Sequence, residues 1–177
     1  MDGNLVRWRT CLHEAGHAVA GRLLLKRTIK AVMYADDVGA AYLEIDGAIP
    51  RTFEEALAVA AGPAAESLAE QYAPPQAQPA PALEAAYPES TAPLEAQLRQ
   101  SPPDAAAIAR WCIGGVEEQP ERWVRRFHWI HREALILVAR HQQEIVQVAT
   151  GLFGCGIMAV GTEPVQPTRE LAPPNCR

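Results

Sequence analysis

The stretch Cys11-Leu12-His13-Glu14-Ala15-Gly16-His17-Ala18-Val19 holds two histidines four residues apart, with a glutamate directly after the first. On an α-helix, positions i and i+4 lie on one face, so His13 and His17 can aim both imidazoles at a single metal ion. Neutral imidazole suits zinc. Glu14 is turned about 100° from His13 around the axis, within reach of a water on the metal without being a ligand itself. That is the position of a general base. The competing reading is a polar helix face that holds no metal; the complete HExxH set on a helix with an apolar stripe argues for the metal.

The helical pattern extends over residues 5–26, with Leu12, Ala15, Val19 and Leu23 forming an apolar stripe beside the two histidines. Gly16 and Gly21 each cost roughly 1 kcal/mol relative to alanine in a helix, so each calls for a packing reason such as close approach of another backbone. Residues 29–34 and 38–45 are β-branched and aromatic runs separated by Ala35-Asp36-Asp37, the pattern of a small hairpin. Ala40-Ala41-Tyr42-Leu43 is the candidate edge strand, able to hold an extended peptide by main-chain pairing or to serve only as a structural hairpin.

Thr52 and Glu55 form a capping box that opens a helix through Phe53, Leu57, Ala60 and Ala61. Pro63 removes a backbone donor and crowds the preceding turn, which predicts a kink or restart there and a second helical piece over 64–72. That piece contains Glu66. Residues 73–103 carry eight prolines among many alanines and read as a mobile or extended insertion, with a short helix over 94–100. Ser101-Pro102-Pro103-Asp104 then opens a helix that stops at Gly114-Gly115, where Asp104 is equally an ordinary N-cap residue. Pro120-Glu121 starts another, with Trp123, Phe127, Ile130, Ala134, Leu137 and Val138 as its apolar stripe, reaching about Arg140. A last helix covers 143–152, separate from it or continuous with it. His128 and His131 have no matching acidic partner and read as exposed.

The chain has 177 residues, 49% of them apolar, and a net charge of −5. That supports one domain over residues 1–160, with 161–177 as a disordered tail, and argues against a broad nucleic-acid-binding surface. The Arg122-Trp123-Val124-Arg125-Arg126 cluster reads as a solvated helix face. Cys11, Cys112, Cys155 and Cys176 show no CxxC spacing and read as free thiols of a reducing compartment. There is no signal-peptide pattern at the start. The most apolar C-terminal stretch, 134–152, is broken by Arg140, His141, Gln142, Gln143, Glu144 and Gln147, so no membrane span is expected and the protein reads as cytoplasmic.

A catalytic zinc site needs three protein ligands and an open position. A third histidine six residues beyond His17 is absent, since that position is Leu23, and Cys11 points away from the metal face. A downstream carboxylate remains: Glu44, Glu54, Glu55, Glu66 or Asp104.

The run His13 to Val19, the later Leu57-Ala58-Val59-Ala60-Ala61-Gly62-Pro63-Ala64-Ala65-Glu66-Ser67-Leu68, and Asp104 opening an alanine-rich helix resemble, in that order, the peptidase domain of FtsH-type ATP-dependent zinc metalloproteases. Residues 131–149 also resemble the closing helices of that family. Pro63 stands where the family usually has arginine, and Pro103 where Asn or Ser usually precedes the aspartate. The resemblance implies a mainly α, helical zincin-like peptidase domain with a small β-hairpin after the HExxH helix. It implies Zn2+ held by His13, His17 and Asp104, with Glu14 as catalytic base in hydrolysis of flexible or unfolded polypeptides. A zincin with Glu66 as the third ligand, or a noncatalytic zinc-binding interaction module, are the alternatives. No Gly-Lys-Ser/Thr phosphate loop is present, so a separate ATPase partner would have to supply unfolding. Self-association into a homo-oligomer is the family habit.

Overall fold

The computed structural model describes residues 3–34, 39–41, 50–76, 103–114 and 119–161. Helix α1, Gly3–Leu25, is the centre of the molecule: from Glu14 to Arg22 every residue on it is buried. A helix buried on all sides must be covered by several elements. The covers are α2 (Phe53–Ala65), a long helix α4 (Pro120–Cys155), and an antiparallel sheet made by β1 (Ile29–Met33), β2 (Gly39–Ala41) and β3 (Ile157–Val160). Helix α3, Pro103–Ile113, packs on α2 and α4. The protein is thus mainly helical with one small sheet.

The α1–α2 crossing follows from composition. Ala56, Ala58, Ala60, Ala61, Ala64 and Ala65 give α2 a face of methyl groups, all buried, against which another helix can come close. Gly16 is the matching residue on α1: a methyl there would lie 2.7 Å from the Cβ of Ala65. This is the packing reason its helix cost calls for. The larger apolar side chains fill the other side of α1, where Trp8 meets Phe153 edge to face at 6.1 Å. Fully burying such a side chain stabilises by about 1.5–3 kcal/mol. The Trp8 indole also donates to the Tyr72 carbonyl at 2.7 Å, tying the end of the α2 segment back to α1.

Thr52 caps α2 as read: its hydroxyl accepts from the Glu55 N–H at 3.1 Å, and the Glu55 carboxylate accepts from the Thr52 N–H. The break expected at Pro63 falls elsewhere. Proline's fixed φ is itself helical, and α2 runs through Pro63 to Ala65 before tightening into a 3₁₀ turn over Glu66–Glu70. The two C-terminal helical stretches are one element, α4, interrupted at His141, whose φ of −114° and ψ of 17° are not helical. Three residues on, Glu144 accepts a forked pair of hydrogen bonds from the buried Arg22 of α1 at 2.6 and 2.8 Å.

The sheet order is β2-β1-β3. The hairpin is present, with Ala31 opposite Ala41 and Met33 opposite Gly39; residues 42–45 of its expected second strand lie outside the described residues. Strand β3, unanticipated from sequence, pairs Ile29 with Val160 and Val32 with Ile157. The insertion beyond residue 76, its 94–100 helix and the tail also lie outside the described residues. Among the described cysteines, Cys11 and Cys112 are buried and outside any disulfide, but Cys155 is disulfide-bonded, which corrects the expectation of unbridged thiols throughout. Among the described residues no helix is long and apolar enough to cross a membrane.

Candidate metal centre

Three donor atoms meet where α1, α2 and α3 converge. His13 Nε2 lies 2.8 Å from Asp104 Oδ2, His17 Nε2 lies 3.2 Å from the same oxygen, and the two Nε2 atoms are 3.0 Å apart. Among the described residues this is the one group of three or more His, Cys, Asp or Glu side chains gathered closely enough for a metal. Bonds of about 2.0–2.2 Å in tetrahedral zinc sites place neighbouring ligand atoms roughly 3.3 Å apart. The observed triangle is that face drawn in by a few tenths of an ångström, so the donor set fits zinc in both chemistry and size.

The far nitrogens explain why the near ones are available. His17 Nδ1–H donates to the Ala58 carbonyl at 3.0 Å, and His13 Nδ1–H donates to Glu66 Oε1 at 2.7 Å. Each bond fixes its ring and turns Nε2 toward the common point, where it can give a lone pair to a metal once any proton there is displaced. Two lone pairs and a carboxylate oxygen within 3.2 Å repel one another unless a proton or a cation lies among them. Glu66 therefore stands behind His13, whereas Asp104 faces both histidines. Asp104 sits in the first turn of α3, where the helix dipole favours a negative charge, and Pro103 occupies the start of that helix, which suits proline.

Electrostatics follow the same geometry. Burial lowers the proton affinity of His13, but its hydrogen bonds to Asp104 and Glu66, with the nearby charges of Glu14 and Asp104, outweigh burial and raise its pKa to about 10. Burial would raise the Asp104 carboxyl; the two imidazoles reverse this and hold it well below the usual carboxylate range. Glu14, 6% exposed, is pushed up by desolvation, against the pull of His17 and His13 and a hydrogen bond from the Ala41 backbone. Its carboxyl is packed under β2, where a methyl on Gly39 would come within 2.9 Å of its Cδ.

Of the other carboxylates weighed from sequence, Glu55 is committed to the α2 cap, Glu54 is exposed, and Glu44 lies outside the described residues. His128 and His131 are exposed, as expected. Sequence reasoning missed Ala58 and Gly62, which form the seat of His17. A methyl at Gly62 would lie within 2.7 Å of the ring's Cδ2. The signal was available in their spacing: residues 58 and 62 are i and i+4 on the face α2 turns to α1, yet Gly62-Pro63 drew attention only as a helix breaker.

No protein-family model, curated protein or solved structure matches this chain.

Proposed function

We propose that the chain is a zinc-dependent endopeptidase, a helical zincin-like domain resembling the FtsH-type peptidase, that cleaves flexible or unfolded polypeptides. The observation that carries this reading is the convergence of His13 Nε2, His17 Nε2 and Asp104 Oδ2, each 2.8–3.2 Å from the others, with both outer imidazole nitrogens tied down. Those three side chains would hold the ion. Zinc bound by such a set supplies Lewis acidity towards a peptide carbonyl and brings the pKa of a water to about 7.

Glu14 does the proton work. Its carboxylate takes the proton of the attacking water and returns it to the leaving amine, and its upward shift brings it closer to the working pH of a general base. Strand β2 lies directly against Glu14 and among the described residues pairs on one side only, with β1, which makes it the candidate edge on which an extended peptide would be held by main-chain hydrogen bonds. That arrangement suits an extended substrate. Folded proteins would need a separate ATPase to unfold them.

The test is the full chain with Glu14→Gln. The variant should bind zinc as the parent does and lose cleavage of an unfolded, casein-like substrate by at least about 10²-fold, the usual contribution of a general base. Turnover at the parental rate would overturn the reading.

A further inference from the structure

A concavity of about 500 Å³ lies away from the histidines, between the start of α2, the C-terminal half of α3 and the first turns of α4. Arg51, Arg110 and Arg126 line it together with Trp111 and Trp129, and no carboxylate does among the described residues. Three guanidinium groups around one cavity are unexpected in a chain of net charge −5. Of these, Arg110 has a guanidinium without a hydrogen-bond or ion-pair partner among the described residues, a positive charge that an anion in the cavity would compensate.

The walls are held in place. Arg126, read from sequence as part of a solvated face, instead donates to the Cys112 and Gly114 carbonyls at 3.3 and 3.0 Å, capping the end of α3. Trp129 stacks on Phe53 with ring centroids 4.4 Å apart and an angle of 14°, and remains 42% exposed. Arg110, also exposed, has no hydrogen-bond or ion-pair partner among the described residues. Fixed aromatic planes beside guanidinium forks match a carboxylate carried on an apolar stem.

We propose that this cavity binds an acidic side chain of a peptide, and, resting on the peptidase reading above, that it selects substrates carrying Asp or Glu near the bond to be cut. Trp111 follows Asp104 by seven residues on α3, which turns it to nearly the same helix face about 10 Å along the axis. An extended peptide at about 3.3 Å per residue covers that distance in roughly three residues.

The experiment pairs two acetylated, amidated decapeptides that differ only in Glu against Gln at the third position from the central bond, on either side. Binding is read from tryptophan fluorescence of the full chain carrying Glu14→Gln, and cleavage is read with the parent chain. The acidic peptides should bind at least tenfold tighter than the neutral ones, the difference shrinking with added salt and in Arg110→Gln, a substitution of an exposed side chain that leaves the α3 cap intact. Equal binding of both peptides overturns the proposal, even if both are cleaved and the peptidase reading stands. Tighter binding of inorganic phosphate or of a nucleoside triphosphate than of the acidic peptides also overturns it. Selective, Arg110-dependent binding without any cleavage supports the pocket while removing the peptidase reading.

Discussion

His13 holds its proton through two acidic neighbours, and this sets how the site should take up metal. With a pKa of about 10 in the metal-free protein, Nε2 is protonated at neutral pH, and an ion must displace that proton. Zinc affinity should therefore climb about tenfold per pH unit from pH 6.5 to 8.5, measured by competition with a chelator; a flat profile would contradict the pairing. The same shift has a stability sign. A raised histidine contributes fully below its unfolded value of 6.5 and its contribution is lost as pH rises through about 10, so the chelated protein should lose stability over that interval. Glu66 works from behind the ring, through its 2.7 Å contact to Nδ1. Loss of such a buttress typically costs 10–100-fold in metal affinity, and Glu66→Gln should fall in or below that range, without the complete loss expected on removing a ligand.

At the scale of elements, α2 decides whether α1 can present its histidines. His17 rests in a notch formed by the Ala58 carbonyl and the bare Cα of Gly62. Gly62→Ala would place a methyl inside the imidazole contact, so ring and helix must part. Overpacking of this kind costs about 1–3 kcal/mol, and the expected result is a lower thermal midpoint together with weakened zinc binding. A variant that keeps both would show that the ring can move aside. What could be read ahead of the structure follows from where each signal resides. The HExxH spacing, the Thr52–Glu55 box and the Leu12-Ala15-Val19 stripe are local patterns with one physical outcome each. The notch at Gly62 and the place of Glu66 behind His13 depend on how two helices cross, which local spacing only hints at. Strand β3 was missed because Ile157-Met158-Ala159-Val160 is a short apolar run without alternation, and it becomes a strand through pairing with β1. Pro63 misled for the opposite reason: a local rule was outweighed by the alanine face of α2 packed on α1.

For the molecule as a whole, the triad joins distant parts of the chain: Asp104 lies 87 residues beyond His17. Helix α1 is locked into the core on all sides, whereas α3 reaches it through α2 and α4 and, at the triad, through Asp104. A ligand that binds the folded form alone adds about 2.7 kcal/mol at a hundred times its dissociation constant. In a domain of about 150–250 residues each kcal/mol shifts the thermal midpoint by roughly 2–4 °C, so zinc at that excess should raise it by about 5–11 °C. Removing the α3 ligand should erase this increment. Asp104→Ala leaves two imidazoles on α1 that can still hold an ion weakly, but nothing that carries its binding energy across to α3. The measurement is the midpoint of parent and variant with zinc and with chelator. Equal zinc-induced rises in the two proteins would show that the ion does not bridge α1 and α3, and would return the third ligand to another carboxylate.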